Sequence, residues 1–361
     1  MLEKHILCLV KKKILFLQHQ SLNIRNMKIL KQLLFTTLSF YIMMIAGAAS
    51  AQSFDNPVSE MGLTRFIPTL EHTIAEDSNV VYCATLPLAW DRVRTTIGRP
   101  LQIPDNARDL RLLNDSRSYL NLLKSYEYQV NTDISGSLVN VQAQFKLSLP
   151  FFTELRTFQD RLAFKGEKVE SFGVAGDDQY DQKKQMEILY YENNDHFVIK
   201  LIPSNSDHEI ILYMPNTRFN TMADAVAKVN GLIAIGQQEK LENCHQWKYK
   251  FKDAGDIVII PKIQFDLSTH FSSLEGNTFI AGNEAYKIKT VWQRTAFQLD
   301  ESGAEIESES IVDFIEFGIK EINEPKVMEF NKPFFVFLRR KDAAVPYFAA
   351  WLYDTELMIK E

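Results

Sequence analysis

The sequence predicts an α+β fold with mostly antiparallel sheets, a more helical N-terminal portion and a strand-rich C-terminal half. Residues 139–149 alternate between apolar and polar side chains, which is the period of a strand with one buried face. Segments with helical spacing of leucines lie mainly before residue 127, and the strict alternation of a doubly wound parallel sheet is missing. The 361 residues are 46% hydrophobic, an ordinary globular composition that excludes disorder as the main state.

Each element is predicted from its periodicity and its turn residues. Helices are expected where apolar residues recur every three or four positions: 61–74, 86–97, 107–126, 151–162, 222–229 and 235–242. Strands are expected where apolar residues alternate or run on: 139–149, 197–202, 209–214, 247–251, 257–267, 285–299, 304–315, 334–338 and 347–353. A Pro-Ser-Asn-Ser-Asp turn makes 186–215 the clearest hairpin.

Residues 27–51 have the pattern of a secretory signal peptide. A basic start, Met27-Lys28-Ile29-Leu30-Lys31, precedes an apolar run and an Ala-Ser-Ala end before Gln52. A membrane anchor is the alternative, because the run could nearly span a bilayer. Residues 1–26 suggest a start codon assigned too early. We therefore expect residues 52–361 to be a single exported domain, secreted or periplasmic, with no stable membrane insertion after cleavage.

The charge of the exported part argues against nucleic-acid binding. Residues 1–51 hold seven of the 40 Lys and Arg residues and one of the 46 Asp and Glu residues, which leaves 33 basic and 45 acidic residues, a net charge of −12. Such a surface repels nucleic acid. Cys83 and Cys244 could form a disulfide or stay buried thiols, and their separation excludes a zinc site.

No sequence motif of an enzyme is present. Nucleophile elbows, zinc-protease motifs, Walker loops and dinucleotide-binding glycine motifs are all missing. The five histidines of the exported part are scattered singly, and we predict that they lie on the surface: His72, His196, His208, His245 and His270. We expect no catalytic residue, metal or cofactor.

The C-terminal end carries the most specific pattern. Residues 330–338 read Phe-Asn-Lys-Pro-Phe-Phe-Val-Phe-Leu and residues 346–351 read Pro-Tyr-Phe-Ala-Ala-Trp. A proline at a strand entrance followed by two apolar runs predicts a pair of buried strands. The run of identities strongly resembles the last strand pair of serpins, in which Phe-x-x-x-Pro-Phe-x-Phe leads into two central strands.

Four further segments resemble serpin elements in the order that the family requires. They are the hairpin 198–215, the Val-Ile-Ile-Pro-Lys strand at 258–262, the strand ending in Leu299-Asp300-Glu301-Ser302-Gly303, and Asn79-Val80-Val81-Tyr82. The resemblance covers 186–355 well and 56–165 weakly. It implies a divergent serpin-like protein of bacterial type, monomeric, with a serine protease as its target.

The resemblance also implies a reactive-centre loop at about residues 303–329. Its hinge is expected at Glu301, Gly303, Ala304, Ile306 and Ser308. Counting forward from Glu301 places the scissile bond near Phe317-Gly318, whereas counting back from Pro333 places it near Ile322-Asn323. Phe317 would attract chymotrypsin-like proteases and Lys320 trypsin-like ones. From Ala304 to Ser310, small or apolar residues alternate with three glutamates, which suits a strand of a sheet with one solvated face.

Several departures from the family leave a second hypothesis open. Glu305, Glu307 and Glu309 repel one another, and inhibitory hinges favour small residues at such positions. The Ser-Pro-x-Ser motif of serpins aligns with residues 83–86, and a histidine of serpins aligns with Gln293. In the family, both belong to a polar cluster beneath the point where the main sheet opens. A helix that crosses this sheet, expected at about 165–186, is absent. The alternative is a non-inhibitory binding or scaffold protein in which 304–315 belong permanently to the sheet.

Overall fold

The structure of the protein is a computed structural model that describes residues 62–75, 77–120, 122–145, 149–251, 255–303, 324–341 and 343–361. These residues belong to one compact unit, 56–361. The predicted signal peptide, the segment before it and the predicted strand 304–315 lie outside the described residues. No helix in the described part is long and apolar enough to cross a membrane.

Four α-helices and seventeen strands are present in the described ranges. The helices are α1 Thr85–Ile97, α2 Arg108–Asp115, α3 Tyr180–Lys183 and α4 Met222–Lys240, with 3-10 helices at Asn243–Lys248 and Thr355–Leu357. The strands are β1 Thr64–Ile67, β2 Asn79–Cys83, β3 Leu101–Gln102, β4 Tyr128–Ser135, β5 Leu138–Phe145, β6 Arg156–Phe164, β7 Glu167–Ala175, β8 Met186–Asn193, β9 His196–Leu201, β10 His208–Met214, β11 Ile257–Pro261, β12 Ile263–His270, β13 Thr278–Ala281, β14 Glu284–Leu299, β15 Val327–Glu329, β16 Phe334–Arg340 and β17 Phe348–Leu352.

The largest sheet has seven strands in the order β1-β2-β17-β16-β10-β9-β8. Its central strands are mostly apolar because both of their faces are covered, and all five residues of β2 and the first five of β16 are buried. Phe330 and Phe334 pack with ring centroids 4.8 Å apart at the entrance to β16. The predicted buried strand pair is therefore confirmed as β16 and β17.

The second sheet has six strands, in the order β3-β13-β14-β5-β4 with β12 also paired to β14. We call it the main sheet, because its strand β14 leads into the predicted hinge. The sixteen-residue strand β14 is antiparallel to β12 and β13 along one edge and parallel to β5 along the other. Helix α1 packs on the inner face, where Trp90 meets Phe279 edge to face at 5.6 Å. A third sheet, β15-β11-β7-β6, completes the described part.

Most of the predicted elements are confirmed, and the α+β class with mostly antiparallel sheets is confirmed with them. Helix α1, strand β5, the hairpin β9–β10 and strands β11, β12, β14, β16 and β17 lie within one to four residues of their predicted ends. Three strand pairs in the described part are parallel, namely β1–β2, β5–β14 and β11–β15. Residues 165–186 contain β7 and the one-turn α3 and hold no helix that could cross the sheet.

Five predictions of secondary structure were wrong. Segment 61–74 contains strand β1, and 151–162 runs into strand β6, because pairing with β2 and β7 outweighed their helical spacing. The helix predicted at 107–126 ends at Asp115. The strand predicted at 247–251 overlaps the end of a 3-10 helix, and the two helices predicted after residue 221 are the single helix α4.

Candidate functional site

The predicted hinge begins as a tight turn at the end of β14, which we call the hinge turn, Asp300–Gly303. The backbone N–H of Gly303 donates to the carbonyl of Asp300 at 3.1 Å, and the N–H of Ser302 donates to Oδ1 of Asp300 at 2.9 Å. The chain thus reverses direction as soon as β14 ends.

Gly303 is required at the end of this turn. Its φ is +80°, a left-handed conformation that residues with a Cβ adopt at a cost. A Cβ on residue 303 would lie 2.4 Å from the backbone N of Phe151 and 2.7 Å from the carbonyl carbon of Pro150. The turn therefore lies too close to the segment after β5 for any side chain at this position.

The hinge turn contacts residues 149–155 and Lys262, which lies between β11 and β12. The N–H of Phe151 donates to the carbonyl of Ser302 at 3.0 Å, and the N–H of Leu155 donates to the carbonyl of Glu301 at 2.9 Å. The carboxylate of Glu301 lies 2.9 Å from Nζ of Lys262. Burial alone would lower the pKa of Lys262, but Glu301 and Glu170 outweigh burial and raise it.

Strands β5 and β14 form a closed seam below the hinge turn. They pair directly and in parallel, from Leu138 with Lys287 to Phe145 with Thr295. Five residues further along each segment, Pro150 and Asp300 both bridge to Gly303, which lies between them. Strands β5 and β14 thus pair with each other directly, whereas Pro150 and Asp300 each bridge to Gly303.

This arrangement gives the seam one open end. Gly303 is antiparallel to Pro150 on one side and to Asp300 on the other. It thus occupies the first position of a strand that would run back between β5 and β14. Residues 146–148 and 304–323 are outside the described part, so the seam is defined here by 138–145, 287–295 and the three bridged residues.

A buried polar cluster lies beneath the seam, as the alignment of Cys83 and Gln293 predicted. Nε2 of Gln293, on β14, donates to Oγ1 of Thr85 at 3.1 Å and to Oγ1 of Thr295 at 3.2 Å. The Thr85 hydroxyl donates to Sγ of Cys83 at 3.4 Å. Cys83 is a free thiol whose pKa burial raises to about 11, so it is unreactive and serves as a hydrogen-bond acceptor.

The chain returns from the loop region through a buried ion pair. Nζ of Lys326 lies 2.6 Å from Oδ2 of Asp256, and both side chains are almost completely shielded from solvent. The backbone N–H of Lys326 donates to Oδ1 of Asp256, and the N–H of Val327 donates to Oδ1 of Asn194. These contacts fix the start of β15 beside β11.

The structure describes only part of the predicted site. Glu301 and Gly303 lie in the hinge turn, whereas Ala304, Ile306, Ser308, Phe317, Gly318, Lys320 and the Ile322-Asn323 bond fall outside the described residues. Sequence reasoning gave no role to Pro150, Asp300 or Lys262. Lys262 had a signal, since a Lys that follows a buried Ile-Ile-Pro run has to find a counter-ion.

The prediction of surface histidines was wrong for three of the five. His72, His196 and His208 are buried, and Nδ1 of each ring lies within hydrogen-bond distance of a polar side chain inside the molecule. Nδ1 of His72 lies 2.9 Å from the hydroxyl of Thr69, and its Nε2 lies 3.6 Å from Asp109. Thr69 is fully buried, so this triad-like contact exposes no nucleophile to a substrate.

Comparisons with known proteins give a likeness in structure alone. No protein-family model matches the chain, and no curated protein matches it. Three serpin structures are similar: one from the trematode Schistosoma haematobium (12% identity, TM-score 0.35, 60% of this chain and 56% of that one), serine protease inhibitor (serpin)-12 of Manduca sexta (14%, 0.36, 62% and 57%) and the thermophilic serpin tengpin in its native state (16%, 0.31, 60% and 55%). The chain matches a little over half the length of each.

Proposed function

We propose that this chain is an exported serpin-like inhibitor of a serine protease, acting by cleavage and insertion of the loop predicted at about residues 303–329. The structure shortens this range at its end, because Val327–Glu329 already form strand β15, which pairs with β11. The observation that carries the proposal is the position of Gly303 between Pro150 and Asp300, at the open end of the seam. The sequence resemblance of 330–338 and of the segments around it supports the same proposal.

The chemistry belongs to the protease. Its serine oxygen would attack the carbonyl carbon of the bait residue, at Phe317-Gly318 or at Ile322-Asn323, forming an ester as the peptide C–N bond breaks. The protease histidine takes the serine proton and passes it to the leaving amine. The chain contributes a cleavable bond and a strand, and we propose no catalytic residue, metal or cofactor of its own.

Insertion would trap this ester before water hydrolyses it. A strand entering from Gly303 would replace the direct pairing of β5 with β14 by two antiparallel ladders, which form more hydrogen bonds than the single parallel one. From Ala304 to Ser310 the small and apolar side chains would face α1 and the glutamates would face solvent. The ester-linked protease would be drawn along with the strand.

The second candidate function is a non-inhibitory scaffold with 304–315 permanently in the main sheet. The three glutamates on one face of that segment favour it, because their mutual repulsion slows insertion. The direct pairing of β5 with β14 weighs against a permanent strand at the seam.

A reversible lock on the seam tests the proposal. Asn140 on β5 and Thr290 on β14 are paired residues, and Oγ1 of Thr290 donates to Oδ1 of Asn140 at 3.0 Å. Paired strand residues lie within the Cα separation that a disulfide spans, about 4.4–6.8 Å. The double variant Asn140→Cys with Thr290→Cys is incubated with trypsin-, chymotrypsin- and elastase-like proteases, oxidised and then reduced.

We expect the wild-type chain to form a complex that survives boiling in detergent. The oxidised variant should be cleaved without forming it, and reduction should restore it. The matched control, Asn131→Cys with Gln142→Cys, bridges β4 to β5 without crossing the seam and should inhibit in both redox states. A complex from the oxidised seam variant would show that insertion occurs elsewhere. No complex from any wild-type mixture, with an unchanged melting temperature after cleavage, would favour the scaffold.

Export is the other part of the proposal. The Ala49-Ser50-Ala51 end of the predicted signal predicts a mature chain that starts at Gln52. Expression of the full sequence in a bacterium and N-terminal sequencing of the periplasmic and culture fractions test this start. A chain retained in the membrane fraction with residues 27–51 attached would support the anchor instead.

A further inference from the structure

Strand β4 is the last strand of the main sheet in the described part of the chain. It pairs with β5 along all eight of its residues, and the register shows no shift. No described strand pairs with its other edge. In an antiparallel ladder every second residue directs its N–H and C=O away from the neighbour, so about half of the backbone groups of β4 point outward without a ladder partner.

The sequence of β4 lacks the features that usually protect such an edge. Tyr-Gln-Val-Asn-Thr-Asp-Ile-Ser contains no proline, lysine or arginine, and its regular register leaves no bulge. Asp133 is its single charge, and the Asp133 carboxylate already accepts hydrogen bonds from Ser135 and Asn140. The edge is therefore chemically open to another strand.

An open cavity of about 610 Å³ lies along the first half of this strand, residues 128–131. Val130 lines it on the face that packs against α1, together with Tyr128 and with Arg92 of α1. Gln129 and Asn131 line it on the opposite face, where they pair with Gln144 and Gln142 of β5. The cavity thus wraps around the edge of β4 and takes side chains from both faces of the sheet.

The polar side chains in the cavity are free to bind. Gln129, Asn131, Gln142 and Gln144 form no side-chain hydrogen bond with any described residue, and each amide offers a donor and an acceptor. Arg92 is exposed and forms no ion pair within the described ranges. One face of the cavity therefore suits a carboxylate and the other suits hydroxyl or amide groups.

We propose that the edge of β4 binds an extended segment of a partner protein by strand addition. The segment carries a carboxylate on the face toward Arg92 and small hydroxyl or amide side chains on the face toward the four amides. Its backbone pairs with the outward N–H and C=O groups of β4, which recur along the strand at about 6.8 Å, twice the rise per residue. The carboxylate is proposed because the exposed guanidinium of Arg92 forms no ion pair with any described residue.

A second copy of the chain fits less well than a peptide. Edge-to-edge pairing would bring together two exported chains of net charge −12, and β4 itself has no cation to offset their repulsion. The proposal does not depend on the loop or the seam. Arg92 and Asn131 lie outside the hinge turn and the β5–β14 pairing, so protease inhibition can be measured separately on the same variants.

The test uses the blocked heptapeptide TVTETVT, in which four threonines form one face and Val-Glu-Val the other. Calorimetric titration of the mature chain should show binding, and the peptide TVTKTVT should bind at least tenfold more weakly. Arg92→Glu should reverse this preference. Asn131→Lys adds an edge lysine of the kind that blocks strand pairing, and it should weaken TVTETVT at least tenfold without changing protease complex formation.

Lys228→Glu on the exposed face of α4 makes the same change of charge far from β4 and should leave both affinities unchanged. The proposal is overturned if TVTETVT does not bind at millimolar concentration, or if the lysine peptide binds equally well. Binding that survives Asn131→Lys would place the peptide elsewhere, including the seam, and overturns it too. So does a wild-type dimer that Asn131→Lys converts to monomer, because the occupant is then a second copy.

Discussion

At the scale of single residues, Gly303 bridges the segment after β14 to the segment after β5. No residue with a Cβ fits between these segments without moving the backbone. The bridges of Gly303 to Asp300 and Pro150 and its left-handed φ are two separate constraints. A side chain at residue 303 would cost conformational free energy and would also clash with the backbone of residues 149–151. Comparison with a glycine that has only the conformational constraint distinguishes the two effects.

Gly303→Ala should therefore destabilise the chain more than Gly136→Ala. Gly136, in the turn between β4 and β5, has a φ of +62°, but a Cβ there would have nothing within 4 Å, so only the conformational cost applies, about 1 kcal/mol. For Gly303→Ala we expect about 3 kcal/mol, because the backbone of residues 150 and 151 has to move. Urea unfolding of both variants measures the difference, and equal losses would contradict the close approach.

The ion pair of Lys326 with Asp256 allows a second residue-scale prediction. Lys326→Met removes the cation that lies 2.6 Å from the buried carboxylate of Asp256, which should cost about 3–5 kcal/mol of unfolding free energy. Adding Asp256→Asn should recover most of this loss, because an amide oxygen still accepts from the Lys326 backbone N–H and carries no charge. Chemical denaturation of the single and double variants measures the coupling, and additive losses would count against a paired charge.

Some of these residues could be predicted from the sequence and others could not. Glu301, Gly303 and the cluster of Cys83 with Gln293 were expected from the resemblance to serpins. The partners of Lys262 and of the three buried histidines could not be predicted, because they are set by which strands lie side by side. His208, for example, meets Glu127 and Tyr347, which are distant in sequence and come together only when β10 packs in the largest sheet.

At the scale of elements, periodicity identified the strands that are buried on one or both faces. It failed for β1 and β6, whose leucine and phenylalanine spacing also fits a helix and whose pairing partners lie elsewhere in the chain. It also divided α4 into two helices, since Gly231 and Gly236 lower the helical propensity of its second half. The structure shows that the two glycines have different roles.

Alanine substitutions at these glycines should have opposite effects. A Cβ at Gly236 would lie 1.9 Å from the carbonyl oxygen of Leu189 on β8, so Gly236→Ala should push α4 from the sheet and cost about 2–3 kcal/mol. Gly231 has nothing within 4 Å, so Gly231→Ala should add up to about 1 kcal/mol of stability through helix propensity alone. Thermal denaturation measures the melting temperature of both variants. Melting temperatures that shift in the same direction would contradict this packing.

At the scale of the whole molecule, two of the buried histidines, His72 and His208, connect stability to pH. Nδ1 of His208 lies 3.0 Å from the hydroxyl of Tyr347, and its Nε2 lies 3.3 Å from Oε1 of Glu127. Burial lowers the pKa of His208 and outweighs Glu127, which would raise it, and burial lowers the pKa of His72 in the same way. Both rings are held neutral in the folded chain at pH values where the unfolded chain binds a proton.

The free energy of unfolding should therefore fall as pH drops below about 6.5, the usual value for histidine in an unfolded chain. The unfolded state takes up more protons in this window, and each unit of pKa lowering is worth about 1.4 kcal/mol. His208→Gln keeps a polar group in the site but does not titrate, so it should flatten the decrease between pH 7.5 and 5. Urea unfolding at half-unit steps of pH measures the slope.

The slope, rather than the stability at one pH, separates titration from packing. His208→Gln changes contacts as well as charge, and a lost contact lowers the curve equally at every pH, whereas a lost titration changes its steepness. His270→Gln is the matched control, since it removes a histidine whose side chain is exposed. Burial would raise the pKa of Glu187, but Lys200 and Lys240 outweigh burial and lower it. The stability that Glu187 contributes is therefore lost only at a lower pH, outside the range of pH 7.5 to 5. A slope unchanged in His208→Gln and in His72→Gln would mean that neither ring is kept neutral by the fold.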